Sequence, residues 1–322
     1  MKPCQICANT RDNRLHLARE MMFGLREQFE YLECAACGCL QIGTIPADLA
    51  RHYPDDYYSM KNARRPTKKN PVRSFVLKQR ARHQLGARNL TGWLLAKAGR
   101  PREYFGWLRR AGARLDSQIL DVGCGAGGFL LKLQRHGFTR LTGMDPFISG
   151  DIDYGGRLLI LKRTLPEMEG QFDLIISNHS FEHMPEPLAS LKEIRRLLKP
   201  DGCVLLRMPC AGCHVWREYG TNWVQLDPPR HLFLQTERSM NVLAREAGLR
   251  VREITFDSTE FQFLGSEQYV RDIPLRRDPR SFAENPKNSP FSRSEIARFS
   301  RKALELNLKG EGDQACFYMS RR

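Results

Sequence analysis

From Ser117 onward, short apolar runs alternate with segments whose apolar residues recur at three- and four-residue spacing. That pattern predicts a buried strand over Gln118–Val122, a glycine-rich turn, and a helix through Phe129–Arg135. Further strands are expected at Arg140–Met144, Leu158–Leu161, Phe172–Ser177, Cys203–Met208 and Arg250–Thr255. One helix runs through Leu188–Leu198 and is expected to stop at Lys199-Pro-Asp-Gly202; another runs through Met240–Ala247 and ends at Gly248. Ala315–Ser320 is placed to close the sheet. Strand and helix in alternation imply an α/β fold with a parallel sheet covered on both faces.

Upstream the texture differs, and three parts are expected: 1–60, 61–115 and 116–322. Residues 1–60 hold paired cysteines, short apolar patches and a Tyr-rich end from His52 to Tyr58. Residues 61–115 begin as a Pro/Lys/Arg/Asn linker and continue in a helical pattern. Its Phe75, Leu85, Trp93 and Leu94 are expected to pack on the α/β part.

With 41% hydrophobic and 9% aromatic residues in 322, the chain is too apolar for a disordered protein. No apolar run approaches the ~18–20 residues that cross a bilayer. The start, MKPCQICANT, lacks a signal peptide's apolar segment. A cytoplasmic protein is expected, with its ten cysteines reduced and read as ligands or core residues.

Charge changes the picture in one place. Between Lys61 and Arg114 stand 16 Lys/Arg and a single acid, Glu103, so this stretch carries the entire formal excess of +15. Whatever anion it meets, it meets locally. The alternatives are a solvated linker face, a phosphate-bearing small acceptor, a peripheral contact with an anionic membrane, and RNA. Spread charges without interleaved stacking aromatics favour the phosphate or the membrane over RNA.

Ile119-Leu-Asp-Val-Gly-Cys-Gly-Ala-Gly-Gly128 is the most informative stretch. Gly123, Gly125 and Gly128 satisfy G-x-G-x-x-G, and Asp145 follows 17 residues later, as in a dinucleotide site. Asp121 discriminates. At the end of the first strand, a carboxylate repels a pyrophosphate but suits the ammonium and sulfonium of S-adenosylmethionine. Asp145 can accept ribose hydroxyls with either cofactor.

Asp121-Val-Gly-Cys-Gly-Ala-Gly127 resembles the first motif of the Rossmann-like (class I) S-adenosylmethionine-dependent methyltransferases. Phe172-Asp-Leu-Ile-Ile-Ser-Asn178, Phe181-Glu-His-Met-Pro-Glu-Pro187 and Leu197-Leu-Lys-Pro-Asp-Gly202 are similar to its later motifs, in the same order. Trp223 through Gln235, with Pro228-Pro-Arg-His-Leu232, is similar to a subgroup found beside glycan and lipid biosynthesis genes. The resemblance covers about two thirds of the chain. It implies a seven-stranded sheet with an antiparallel last strand, and methyl transfer to a small-molecule or glycan acceptor. It also implies that Asp121, Gly123 and Gly125 hold the methionine part, Asp145 the ribose and Leu165 the adenine, with Asn178 and His179 flooring the pocket. Gln118, Asp173 and Gly202 read as fold determinants.

If the acceptor is a hydroxyl, a base is needed, and His183 and His231 are the candidates, with an acid limb expected near ~6.5. Ubiquinone-type O-methyltransferases, which resemble this region, bind a divalent ion with acids and a histidine here. His179-x-x-Glu182-His183 begins with a histidine in place of an acid, which weighs against that use. Cys210-Ala-Gly-Cys213-His214 spells a haem-attachment motif but reads as loop.

Cys4-x-x-Cys7 and Cys34-x-x-Cys37, separated by 26 residues, are two knuckles of the kind that present four thiolates to a structural zinc. Gly38 fits the tight turn after the second; Cys39 is expected to pack or lie exposed. A zinc ribbon with a basic arm is similar to ribosomal-RNA base methyltransferases, which makes RNA the rival acceptor. Ser177-Asn-His-Ser180 lacks the Asn-Pro-Pro-aromatic loop of enzymes that methylate exocyclic amines. A binding protein without catalysis is the third class, and the glycine loop with both aspartates opposes it.

Overall fold

The computed structural model describes residues 2–54, 70–97, 102–155 and 158–322. The tyrosines at 57 and 58 and the linker containing Lys61, Lys68 and Lys69 lie outside the described residues.

The N-terminal part forms three antiparallel strands, β1 (Arg14–Arg19), β2 (Gln28–Glu33) and β3 (Leu40–Ile42). Helices α1 (Pro71–Gln84), α2 (Leu90–Lys97) and α3 (Glu103–Arg110) follow. Asn70 caps α1, its side chain accepting from the Arg73 amide at 3.1 Å, and Pro71 needs no amide partner at the first position. Leu85 packs into the interior with Phe105 and Leu108 of α3, but Phe75, Trp93 and Leu94 are exposed, contrary to their expected packing.

The α/β part then runs β4 (Gln118–Val122), α4 (Gly128–Arg135), β5 (Arg140–Met144), β6 (Ile152–Asp153), β7 (Leu158–Leu161), β8 (Phe172–Asn178), α5 (Pro187–Leu197), β9 (Leu198–Pro209), α6 (His214–Tyr219), β10 (Phe233–Leu234), α7 (Glu237–Glu246), β11 (Leu249–Phe256), α8 (Phe261–Val270), α9 (Arg293–Lys309) and β12 (Gln314–Arg321). Among the described residues its sheet has eight strands, ordered β11-β12-β9-β8-β4-β5-β7-β6, rather than the seven implied by resemblance. The extra one is β6, a two-residue edge strand antiparallel to β7. β12 is antiparallel to both neighbours, as expected of the last strand.

Side chains alternate across this sheet with the two-residue period of a strand. Leu120, Val122, Val204 and Leu206 face one core cluster, while Ile119, Cys203 and Leu205 face the other. The Asp173 carboxylate accepts from the Gln118 amide at 2.7 Å and pairs with Lys199 at 2.8 Å, fixing β4 against β8. Lys199-Pro-Asp-Gly202 lies inside β9 instead of forming a separate stop, entering the sheet through an irregular register. Cys213 is likewise not plain loop: it caps α6, its sulfur accepting from the Trp216 amide.

The N-terminal sheet is completed by a strand from within the α/β part. β10 pairs antiparallel with β3, giving the order β1-β2-β3-β10, and Tyr31, Leu32 and Leu40 share a core cluster with Leu120 and Val122.

Candidate active site

The glycine turn closes the carboxyl end of β4. Gly123 and Gly125 take positive φ of 72° and 53°, which L side chains rarely adopt. A Cβ on Gly123 would lie 2.4 Å from Cβ of Ser180. Ser180 covers the turn, its hydroxyl donating to the Val122 carbonyl at 2.7 Å, so the loop after β8 sits directly over the glycines.

Asp145, at the end of β5, uses one oxygen to accept from the Gly125 amide and the other from the Phe147 amide, both at 2.9 Å. Asp121 is buried at the end of β4 and makes no hydrogen bond or ion pair among the described residues. Burial, with the nearby Asp145 charge, pushes its carboxyl up to about 8. Two acids on adjacent strand ends, neither with a counter-charge among the described residues, form a donor set that fits a cationic ligand. Leu165 is buried in a short 3-10 turn, and the Asn178 side chain accepts from Arg207 at 3.1 Å.

Beyond β8 the structure gathers three histidines around one carboxylate. Glu182 is fully buried, and neither of its oxygens makes a hydrogen bond. Burial opposes its ionised form, but His179, with His183 and His231 beyond, more than offsets this and holds it at about 2. His179, at a positive φ of 53°, has Nε2 2.8 Å from Arg207 Nη1. Arg can only donate, so His179 carries its proton on Nδ1, 3.4 Å from Glu182.

His183 and His231 also carry a proton on Nδ1, here against backbone carbonyls. His183 Nδ1 lies 2.8 Å from the Arg230 carbonyl, and His231 Nδ1 lies 2.7 Å from the Gln225 carbonyl. A carbonyl only accepts, so both rings are protonated on Nδ1, and in the neutral imidazole the bare nitrogen is Nε2. The rings meet edge to face, 4.8 Å between centroids. Burial, reinforced by His183 and opposed by Asp227 and Glu182, lowers His231 to about 4, which leaves it neutral at physiological pH. One donor atom from each of Glu182, His183 and His231 lies within 4.8 Å of the others; the third member is His231, not the His179 of the sequence motif.

These histidines line a cavity of about 270 Å³ with Gln225, Asp227 and Gln262. Gln262 is buried and its Oε1 has no partner. Met22, from the N-terminal part, lines the same cavity. His183 lies in a 3-10 turn that precedes α5.

Sequence reading missed the residues that hold this wall together. Arg230 is fully buried, bound to Asp227, to Glu20 at 2.8 Å and to the His52 carbonyl at 3.2 Å. The Leu232 amide donates to the Glu182 carbonyl, while the Leu232 carbonyl accepts from the Ile42 amide. Arg207 binds Asp257 at 2.7 Å and stacks on Trp107. The only signal for Arg230 was its place between Pro229 and His231.

At the N-terminus the two knuckles repeat one hydrogen-bond pattern. Ala8 and Gly38, each following the second cysteine of its pair, have positive φ, and their amides donate to Cys4 and Cys34 carbonyls. Sulfur separations are 3.7 Å for Cys4–Cys37 and 3.5 Å for Cys7–Cys34, and all four lie within 4.8 Å of one another. A zinc tetrahedron with ~2.3 Å bonds has edges near ~3.8 Å, so the donor set fits one. A hydrogen bond between Cys37 and Cys4 lowers the Cys4 thiol despite its burial. Cys39 is buried outside the group.

A family model described as a methyltransferase domain matches residues 96–254. The ubiquinone biosynthesis O-methyltransferase of Pseudomonas aeruginosa is 30% identical over 169 residues, 46% of this chain and 71% of that protein. The chain belongs to the class I S-adenosylmethionine-dependent methyltransferases. The similarly named Acinetobacter baumannii protein is 27% identical over 172 residues, 46% of this methyltransferase and 70% of its own length. Among solved structures, a putative sarcosine dimethylglycine methyltransferase from Galdieria sulphuraria aligns at TM-score 0.41 and 19% identity, over 66% of this chain and 82% of its own.

Proposed function

We propose that this methyltransferase transfers a methyl group to a hydroxyl of a small-molecule or glycan acceptor, with His183 or His231 as general base. The observation that carries the reading is the pair of imidazoles that keep Nδ1 on backbone carbonyls and line one cavity with His179, the neighbour of the Ser180 that covers the glycine turn.

In this reading Asp121, Gly123 and Gly125 hold the methionine end of S-adenosylmethionine and Asp145 its ribose, with Leu165 toward the adenine and Asn178 and His179 below. The cofactor supplies an electrophilic methyl group and its own leaving group, leaving alignment and water exclusion to the protein. Ionised Asp121 balances the cationic ligand. Nε2 of His183 or His231 takes the acceptor's hydroxyl proton, and Glu182 stabilises the resulting imidazolium without itself being protonated. The unpartnered Gln262 Oε1 is suited to orient a second hydroxyl, which favours a polar, hydroxylated acceptor.

Within this reading, residues 116–322 form the catalytic unit and 61–115 a basic arm. Residues 1–60 form a lobe closed by one structural zinc on Cys4, Cys7, Cys34 and Cys37. That site has no open position, so zinc there supports folding rather than methyl transfer.

The test is incubation with labelled S-adenosylmethionine and either a glycan and lipid extract or total RNA. Label in a hydroxylated small molecule or glycan supports the reading; label confined to RNA transfers the assignment to the RNA class.

A further inference from the structure

We propose that the α1–α2 hairpin docks the enzyme onto an anionic bilayer surface. Val72, Phe75, Leu90, Trp93 and Leu94 are 70%, 54%, 74%, 43% and 55% exposed, a concentration of large apolar side chains on two short helices. Leu90, Trp93 and Leu94 recur at three- and four-residue spacing and so share one face of α2. That face points away from α1. Gly92 marks the side turned toward α1, where an added Cβ would come within 2.3 Å of the Gln79 carbonyl. The outward stripe is thus not covered by its own hairpin.

Charge complements this stripe. Between Asn70 and Arg102 the chain has no acid. Arg73, Lys78, Arg80, Arg82, Arg88 and Lys97 form no ion pair among the described residues, whereas Arg110 and Arg114 nearby pair with Glu253 and Asp116. Lys97 holds its ammonium 3.9 Å from the Trp93 ring centroid, an aromatic and a cation side by side as at a membrane interface. No described helix is long and apolar enough to cross a membrane, so the contact is superficial. RNA would use the cations and the rings but not Val72, Leu90 and Leu94; a bilayer uses all of them.

Co-sedimentation of the full chain with phosphatidylcholine–phosphatidylglycerol vesicles, against phosphatidylcholine alone, tests this at low and high salt. Binding to the anionic vesicles is expected, with at least a tenfold loss in a Leu90→Ser, Leu94→Ser variant at either salt. An Arg73→Gln, Arg82→Gln, Arg88→Gln variant should lose binding mainly at low salt. Unchanged cofactor affinity and melting would show that both variants are folded. Trp93→Phe should retain binding while abolishing part of the vesicle-induced blue shift in fluorescence. No preference for anionic vesicles, binding indifferent to the serine variant, or salt-sensitive retention of RNA without vesicle binding would each overturn the proposal.

Discussion

Arg230 Nη2 lies 2.8 Å from Glu20 Oε1, and neither side chain has any solvent exposure. Glu20 also accepts from the Phe23 and Leu25 amides, so the carboxylate shapes the turn between β1 and β2 while it neutralises an arginine 210 residues away. Through Asp227 and the backbone of Arg230, this pair fixes both candidate bases.

Breaking the pair should be costly. Arg230→Gln would leave Glu20 and Asp227 buried without their cation, a loss of about 3–5 kcal/mol by denaturant titration. Arg230→Lys should recover little of it, because a single ammonium cannot span the same acceptors. Glu20→Gln should cost less, since Asp227 still pairs with the guanidinium.

Cofactor affinity should depend on pH through Asp121. Its folded carboxyl is raised to about 8, and a cationic ligand selects the ionised form, so affinity should fall by up to about tenfold per pH unit below 8. Calorimetry should show about one proton released on binding near pH 6 and about half a proton at pH 8. Asp121→Asn should bind more weakly and lose that pH dependence; a flat wild-type profile would refute the role.

Turnover should fall on the acid side as the base is protonated. If His231 is that base, the limb in free enzyme lies near pH 4, below the ~6.5 of an unperturbed histidine. His231→Gln would then lose about 10²–10⁴ in rate with cofactor affinity intact. If that variant keeps its rate while His183→Gln loses it, the base is His183.

The same His231 shift affects stability with a definite sign. Between pH 6.5 and about 4 the unfolded chain binds a proton that the folded one does not, so this group's contribution falls as pH is lowered through that window. Thermal melts of His231→Gln should lose this part of the acid dependence.

One zinc per chain is expected in protein purified without chelator. Removing it, or Cys34→Ser, should loosen the N-terminal lobe, measured as faster amide exchange at β2 and β3. Protein that contains no metal, or is unaffected by chelator, would remove zinc from the account.

Much of the catalytic sheet was legible because its strands are continuous apolar runs between turn residues. Gln118–Val122 and Arg140–Met144 match their predicted bounds for this reason. The glycine turn and its two aspartates were equally local. What was hidden is long-range. β10 is too short to register as a strand alone, and β6 has only two residues. Nothing near Glu20 announces Arg230. Apolar spacing identified α2 as helical but could not tell whether its stripe faced core or solvent, since both environments accept Trp93 and Leu94 there.

Strand β10 also constrains the order of folding. The N-terminal sheet needs Phe233 and Leu234 for its fourth strand, and the Glu20 carboxylate needs Arg230. During synthesis the first sixty residues must therefore wait, incomplete at one edge, until about 170 more have been made. Their closing contacts span most of the chain, which makes the lobe a late and slow step rather than a nucleus. Expressed alone, the N-terminal segment would present an unpaired β3 edge, the surface through which strands aggregate.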